Sequence, residues 1–268
     1  MSAIILITGA SSGIGKTCAE YLSSIGHTVY GTSRKPASTD KPKYIPLQMD
    51  VTDRQSVKEG IASIIDQQGR IDVVVNNAGM GYLSVLEYAT EKEVRLQMDT
   101  NFMGVVNVCA EALPHMRRQH CGKIVNISSI GGVMGLPYQG IYSASKFAVE
   151  GYSEALSLEV ARFGIRVSLI EPSDFKTAFT ANRPKPEISV DDETYKASLA
   201  RTSRIIVDEE ESGKSPFVLA KLLAKIVQTK NPRFRYPVGK VDQVLSVYIK
   251  RLLPSRWFQF ILRTYYKV

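Results

Sequence analysis

A tyrosine and a lysine four residues apart, preceded by a serine, are the residues of this sequence best suited to proton chemistry. Tyr142 and Lys146 occupy positions i and i+4 of a predicted helix, so their side chains share one face. A free phenol has a pKa of ~10, and a nearby ammonium group lowers it by favouring the phenolate. Tyr142 is therefore predicted to be a general acid/base, with Ser129 hydrogen-bonding the substrate oxygen. An amphipathic surface pair is the alternative.

A glycine-rich segment near the amino terminus is suited to binding phosphate. Gly9, Gly13 and Gly15 lie between the first predicted strand and the first predicted helix. Glycine permits turn dihedrals closed to other residues and lets the backbone approach a pyrophosphate. The helix start presents free N–H groups and a positive dipole end to that anion. We predict a dinucleotide cradle made of Gly9, Ser11, Ser12, Gly13, Ile14 and Gly15, the alternative being an ordinary glycine-rich turn.

Arg34 follows the second predicted strand, where NAD-binding folds usually carry an acidic residue for the ribose 2′-hydroxyl. Residues 31–35 contain Arg34 and Lys35 and no acid. An arginine binds a 2′-phosphate through two parallel hydrogen bonds. The sequence therefore predicts NADP(H) as cofactor, and an exposed loop cation is the alternative.

The ends of the third and fourth predicted strands carry further candidate cofactor contacts. Asp50 is predicted to hold the adenine amino group and Val51 to pack on the ring, although Asp50 is also suited to capping the next turn. The small residues of 76–79 leave room for the adenosine ribose, and Asn76 has the alternative role of joining neighbouring strands. The predicted contacts here are Asp50, Val51, Asn77, Ala78 and Gly79.

Short apolar β-rich segments alternate with helical patterns, as is typical of βαβ units and a parallel sheet. The predicted strands are Ile4–Thr8, Thr28–Thr32, Tyr44–Met49, Ile71–Asn76, Lys123–Ser128, Arg166–Ile170 and Phe234–Pro237. The predicted helices are Gly13–Ile25, Arg54–Gln68, Glu91–Arg118, Tyr142–Phe163 and Pro216–Thr229. Right-handed crossovers then predict an α/β fold, a single doubly wound Rossmann domain with a seven-stranded parallel sheet.

Residues 173–215 interrupt the alternation with two prolines and the acidic cluster 208–211. A long irregular segment is usually a functional lid or an insertion. Its position after the sixth strand, over the carboxyl ends of the sheet, favours a substrate lid, with a passive surface insertion as the alternative. The predicted domain spans residues 1–240, and a helical extension follows at 241–268.

The extension combines aromatic and basic side chains. Pro254 ends one predicted helix, and Ser255 is predicted to cap a second that carries Trp257 and Phe260 beside cations. This composition suits an interfacial helix. Docking on the domain or on a partner subunit is the other interpretation.

The net charge of +8 is concentrated in part at the carboxyl end, where six Lys or Arg residues against Asp242 give residues 240–268 a net charge of +5. A solvated basic face or attraction to anionic lipid or acidic substrates accounts for it, and no nucleic-acid-binding motif accompanies it.

The three cysteines have neither metal-ligand nor disulfide spacing, so we expect no metal site, a reducing compartment and buried thiols. Without a recognisable signal peptide or an 18-residue apolar stretch, we expect a cytoplasmic protein, with peripheral membrane contact through the tail left open.

In combination, these motifs resemble the classical short-chain dehydrogenase/reductase family over residues 3 to about 178. The resemblance rests on TGASSGIG, NNAG, Asn101, Ser129 and the pair Tyr142 and Lys146. It implies that Ser129 orients the substrate and that Lys146 tunes Tyr142 as general acid/base. It also implies that Asn101 holds a water relaying protons from Lys146, and that the enzyme is a homo-oligomer, a dimer or tetramer. The additional cofactor contacts it implies are Tyr142, Lys146, Pro172 and Thr177.

The segments 129–138 and 142–151 look most like estradiol-type 17-beta-hydroxysteroid and retinol-active members of that family. This resemblance implies an apolar substrate, and together with Arg34 it predicts NADP-dependent hydride transfer to or from a hydroxyl or ketone carbon of a steroid-, retinoid- or sphingoid-like molecule. Small sugar- or acyl-type carbonyls are the alternative substrates, and a catalytically silent nucleotide sensor or scaffold is the alternative class. One residue departs from the family pattern: Ser173 stands where a glycine is common, and its Cβ is predicted to constrain the backbone near the nicotinamide.

Overall fold

The computed structural model describes residues 2–35, 42–184, 186 and 193–268. Seven parallel strands form one sheet in the order β3-β2-β1-β4-β5-β6-β7. The strand order reverses direction at β1 and β4, which is the doubly wound topology with its switch point between those strands. Every predicted strand is present, with ends within two residues of the prediction. The strands are β1 (Ile4–Ile7), β2 (Thr28–Ser33), β3 (Ile45–Gln48), β4 (Val73–Asn76), β5 (Gly122–Ile127), β6 (Ile165–Pro172) and β7 (Arg235–Val238).

Helices cover both faces of the sheet. They are α1 (Gly13–Ser24), α2 (Arg54–Gln68), α3 (Glu91–Met98), α4 (Gly104–Gln119), α5 (Gly140–Val160), α6 (Glu193–Glu211), α7 (Pro216–Gln228), α8 (Val241–Leu252) and α9 (Ser255–Tyr266). Alternate residues of a strand point to opposite faces. Accordingly Ile4 and Leu6 pack with α2, α4 and α5, while Ile5 and Ile7 pack with α1 and α7. Because both faces are buried, the strands read as continuous apolar segments.

The predicted helix Glu91–Arg118 is two helices joined by a wider turn, and the prediction of one continuous helix is wrong. A π turn at Asp99–Met103 separates α3 from α4. Two close contacts hold it there: Asn101 bonds the backbone of Met80, and Gly104 packs so closely that a Cβ would stand 2.8 Å from Val51. A π turn inside a helix often marks a functional site.

Two predictions for the carboxyl-terminal third are also corrected. The segment 173–215 is not irregular throughout, because α6 occupies Glu193–Glu211, whereas 185 and 187–192 lie outside the described residues. Ser255 does not cap α9: it is the first helical residue, and Pro254 occupies the capping position with no side-chain hydrogen bond. None of the described helices combines the length and apolar character needed to cross a membrane.

Candidate active site

Ser129, Tyr142 and Lys146 meet at the carboxyl end of β5. Ser129 lies two residues past the strand, where its Oγ accepts a hydrogen bond from the backbone N–H of Gly131 at 3.0 Å. Its hydroxyl lies beside the ring of Tyr142: a Cβ added to Gly131 would stand 3.4 Å from Ser129 Oγ and 3.3 Å from Tyr142 Cε1. In the second turn of α5, Lys146 Nζ donates to the carbonyl oxygen of Ile127 at 2.8 Å and lies 5.9 Å from the centre of the Tyr142 ring. The three side chains predicted to do chemistry therefore form one cluster.

Burial dominates the proton affinities in this cluster. It raises the pKa of Tyr142 to about 12, and the neighbouring Ser129 hydroxyl, which lowers that pKa, offsets this only in part. Burial also lowers the pKa of Lys146 to about 8, although the charge of Glu150 acts in the opposite direction. The sequence predicted a lowered pKa for Tyr142 because of Lys146. When only the protein's own groups act on the phenol, its pKa is raised instead, and the prediction is wrong in this respect. At neutral pH the phenol keeps its proton and is suited to donating it.

Asn101 lies behind the cluster, buried in the π turn. Its Oδ1 accepts from the backbone N–H of Met80 at 2.8 Å, while its Nδ2 donates to the Met80 carbonyl at 2.9 Å and to Ser145 Oγ at 3.0 Å. A Cβ added to Gly79 would stand 3.3 Å from Asn101 Oδ1 and 3.7 Å from Lys146 Nζ. The amide thus fixes the loop after β4 against α5, and its role in a proton relay stays a prediction.

A cleft of about 640 Å³ opens over the carboxyl ends of the strands. Every residue predicted to bind the cofactor or to act chemically lies in its wall, with the exception of Asn101. These residues are Gly9, Ser11, Ser12, Gly13, Ile14, Gly15, Arg34, Asp50, Val51, Asn77, Ala78, Gly79, Ser129, Tyr142, Lys146, Pro172 and Thr177.

The amino-terminal part of the cleft fits a pyrophosphate. Gly9 has φ +67°, and a Cβ there would stand 2.8 Å from Ala78 Cα, so the position requires glycine. Gly13 has φ +55° and begins α1, whose first turn contains no acidic residue and no capping side-chain bond. Asn77 holds this loop by donating to the carbonyls of Thr8 and Gly9 at 2.9 and 3.0 Å. The helix dipole and the N–H groups that lack helical partners therefore face the cleft and suit the diphosphate of a dinucleotide.

Asp50 and Asn76 both take the structural role that was the alternative to cofactor binding: Asp50 caps a turn, and Asn76 joins two strands. Asp50 Oδ1 accepts hydrogen bonds from the backbone N–H and the hydroxyl of Thr52, at 2.9 and 2.8 Å, and so caps the turn while still lining the cleft. Asn76 Nδ2 donates to Asn126 Oδ1 at 2.8 Å and joins β4 to β5. The contact between Asp50 and adenine stays a prediction.

The segment 173–215, predicted as a lid, supplies part of the cleft wall that the sequence did not reveal residue by residue. Phe179 meets the ring of Tyr142 edge-on, with 6.1 Å between the ring centres. Arg183 forms a largely buried ion pair with Glu210, which also accepts a hydrogen bond from Thr180. These residues are close in space but far apart in the chain, so no local motif indicated them. The wall residues that the sequence analysis did not name include Leu136, Gln139, Phe175, Phe179, Asn182, Arg183, Ile206, Glu209, Glu210 and Tyr266.

Ser173 connects the end of β6 to the start of α8. Its Oγ accepts from the backbone N–H of Lys240 at 2.9 Å, and its own N–H donates to the carbonyl of Val238 at 2.8 Å. Gly239 between them has φ +144°, and a Cβ there would collide with Ser173 Oγ. The serine at this family position therefore fixes the entry to the carboxyl-terminal helices, in addition to lining the cleft.

One face of α8 and α9 docks on the domain. Val247 and Phe258 are buried in a small apolar cluster with Ile130 and Met134, next to the turn that carries Ser129. Lys250 donates a hydrogen bond to the carbonyl of Val133 in the same region. The docking interpretation of the tail is thus correct for this face.

The fold and the cluster at the strand ends define an oxidoreductase of the nucleotide-binding α/β class. The model of the short chain dehydrogenase family matches residues 3–188, and the chain belongs to that family. It is 55% identical over 265 residues to 3-ketodihydrosphingosine reductase of Bacteroides thetaiotaomicron, covering 99% of this chain and 98% of that protein.

It is also 32% identical over 252 residues to 17-beta-hydroxysteroid dehydrogenase type 1 of Homo sapiens, covering 87% of this chain and 76% of that protein. A short-chain dehydrogenase from Streptomyces avermitilis superposes with a TM-score of 0.83 at 31% identity, covering 94% of each chain. The resemblance found in the motifs is confirmed. Other solved neighbours were captured with NAD or with NADP, so a nicotinamide dinucleotide is the cofactor class of this fold.

Proposed function

We propose that this protein reduces the ketone of a long-chain sphingoid-type lipid with NADPH. The observation that carries the proposal is the placement of Tyr142 beside Ser129 and Lys146 in a cleft with an aromatic wall, where burial raises the pKa of the phenol. The identity of 55% over nearly the whole chain to a 3-ketodihydrosphingosine reductase supports the substrate class.

The side chains divide the reduction among them. A reduced nicotinamide, when bound, supplies the hydride to the carbonyl carbon. Tyr142 transfers its phenolic proton to the carbonyl oxygen, which completes the secondary alcohol. Ser129 has its Oγ bonded by the Gly131 N–H and keeps its own hydroxyl proton to donate toward the same oxygen. The ammonium form of Lys146 stabilises the phenolate that remains, because opposite charges in a buried site attract strongly.

The choice of NADPH rests on Arg34. This residue is exposed at the cleft rim, where the next residue is Lys35 and no acidic residue follows β2 before the undescribed segment. A charge-assisted hydrogen bond to a phosphate contributes roughly 1.5–3 kcal/mol. A 2′-phosphate is the cofactor group that would use such a contact.

The test of the substrate is the loss of nicotinamide absorbance with 3-keto sphingoid bases of increasing chain length. We expect kcat/KM to rise with length, because each buried methylene contributes about 0.8 kcal/mol. Tyr142→Phe should lower kcat by roughly 10²–10⁴-fold, whereas the matched control Tyr152→Phe, farther along α5 and outside the cleft wall, should keep it. A flat or falling trend with length would favour small carbonyls. Near-normal turnover of Tyr142→Phe would reject the acid role, and no turnover of any ketone would favour a silent nucleotide-binding protein.

The cofactor is tested with Arg34→Ala and the neighbouring control Lys35→Ala. Removal of Arg34 should weaken NADPH binding at least tenfold, since 1.4 kcal/mol corresponds to a factor of ten, and should leave NADH binding nearly unchanged. Titration by nicotinamide fluorescence measures both. Equal weakening of the two cofactors, or a native preference for NADH, would contradict the assignment.

A further inference from the structure

The outer face of α8 carries a stripe of exposed apolar side chains. Val241, Leu245, Tyr248 and Leu252 follow one another at i, i+4, i+7 and i+11, the spacing of a single helix face. Leu252 is 83% exposed. Val247, by contrast, is buried in the cluster that docks the helix, so α8 has one face for the domain and another that is apolar and uncovered within the described chain.

The same division continues in α9. Phe258 is buried on the docked side, with Leu262 packed partly beside it one turn later. Trp257, Phe260 and Ile261 lie at i, i+3 and i+4 and point outward, with Trp257 65% and Phe260 63% exposed. Large exposed apolar groups grouped on a helix face mark interaction surfaces, because monomeric proteins rarely leave large apolar patches in water.

Basic residues border this apolar surface. Arg256 and Arg263 form an adjacent strip of α9 at i and i+7, Lys267 follows the end of the helix, and all three are exposed. Over residues 240–268 the net charge is +5, with Asp242 as the acidic residue. Aromatic and aliphatic groups beside cations are what an interfacial helix presents to a bilayer, where the rings enter the headgroup region and the cations meet anionic lipid.

We propose that the α8–α9 face, defined by Val241, Leu245, Tyr248, Leu252, Trp257, Phe260 and Ile261 with their bordering cations, docks on an anionic lipid bilayer. A second copy of the chain is a poorer occupant: a two-fold interface would bring the same patch of each copy together and oppose two sets of like charges. A bilayer containing anionic lipid supplies both the apolar layer and the opposite charge.

The cleft reaches the same helix. Tyr266, at the end of α9, lines the cleft, and its carbonyl oxygen accepts a hydrogen bond from Thr202 of the lid at 3.0 Å. The helix that would lie on lipid therefore also forms part of the cleft wall. Membrane docking itself does not depend on which ketone the cleft takes, so its test needs neither substrate nor cofactor.

Trp257 is the single tryptophan of the chain, which makes it a direct reporter. The full-length protein is titrated with vesicles of phosphatidylcholine containing 30 mol% phosphatidylglycerol, and with vesicles of phosphatidylcholine alone, while tryptophan emission and co-sedimentation are measured. We expect a blue shift and co-sedimentation with the anionic vesicles, at least tenfold weaker binding to the neutral ones, and release at high salt. Absence of a shift and of sedimentation with anionic vesicles would overturn the proposal.

Matched variants separate the two contributions. Arg256→Glu/Arg263→Glu should lower partitioning to anionic vesicles at least tenfold, whereas Lys58→Glu/Lys225→Glu, the same charge change on exposed positions elsewhere, should not. Trp257→Ala/Phe260→Ala should reduce co-sedimentation at least tenfold, whereas the exposed pair Val94→Ala/Leu158→Ala should leave it unchanged.

Equal losses in test and control variants would overturn the assignment to this face. A blue shift that follows protein concentration without vesicles would overturn it in favour of self-association, which light scattering detects.

Discussion

Removing Arg235 should destabilise the fold far more than removing an exposed charge. It lies at the start of β7 and donates to Glu171 of β6 and to Glu150 and Glu154 of α5. Glu171 is 0% exposed and Glu150 is 5% exposed. Arg235→Met keeps the aliphatic stem but leaves two buried carboxylates without their cation, at the point where β6 and β7 meet the helix that carries Tyr142.

The magnitude follows from burial. Removing one partner of a buried ion pair costs about 3–5 kcal/mol, because the remaining charge stays desolvated. The contact with Glu154 adds little, since that carboxylate is largely exposed and surface pairs contribute ~0–1 kcal/mol. We expect the free energy of unfolding at pH 7 to fall by about 3–5 kcal/mol, a large part of the 5–15 kcal/mol typical of a domain.

Urea unfolding followed by circular dichroism measures this loss at pH 7 and at pH 5. Burial already raises the pKa of Glu150, and without Arg235 that pKa rises further. A carboxyl whose folded pKa lies above its unfolded value makes the folded state bind more protons, so the variant regains stability relative to wild type as pH falls. The deficit should therefore be smaller at pH 5.

The control is Arg166→Met, whose guanidinium donates to Asn231 on the surface at 3.3 Å and should cost under ~1 kcal/mol. A loss for Arg235→Met no greater than this control, or a deficit that grows toward pH 5, would refute the reasoning.

Two further outcomes are expected. Gly239→Ala should destabilise the protein by roughly 1–3 kcal/mol, because the residue has φ +144° and its Cβ would collide with Ser173. Ser173→Gly in the same chain should recover part of the loss, and a melting temperature unchanged by Gly239→Ala would contradict the described connection. In thiol labelling at neutral pH, exposed Cys121 should react quickly, whereas Cys18 and Cys109, buried with pKa values raised to about 12, should react only on unfolding. Mass spectrometry identifies the labelled residues, and rapid labelling of either buried thiol would oppose this.

The sequence predicted the sheet well because burial on both faces leaves a signal in each strand. The segment Val73–Val75 is apolar without interruption, and both its faces are covered. The helix α6 was missed because its buried face consists of little more than Thr202 and Ile206 among charged residues, too weak a pattern to oppose the flanking prolines. Cys121 was expected to be buried, yet it stands exposed immediately before β5.

The cradle and the acid/base pair were predictable because short spacings define them: three glycines within seven residues, and a tyrosine one helical turn before a lysine. The contacts within the segment 173–215 were not predictable, because Thr180 and Glu210 meet across thirty positions of sequence. The pKa of Tyr142 was predicted to be lowered, whereas the structure raises it. The spacing indicated the neighbouring ammonium but not the burial that raises the pKa.

The π turn at Asp99–Met103 sets a constraint on chain length as well as on residue type. In a regular helix, steps of four residues advance about 40° beyond a full turn, so the inward positions Gln97, Asn101 and Val105 would drift around the axis. The wider turn takes up that excess and keeps all three buried. Deleting one residue here would rotate α4 by about 100° relative to α3, and then either Asn101 would leave Met80 or the apolar side of α4 would turn toward water. Single-residue insertions and deletions should thus be far more damaging in this turn than in the surface loops.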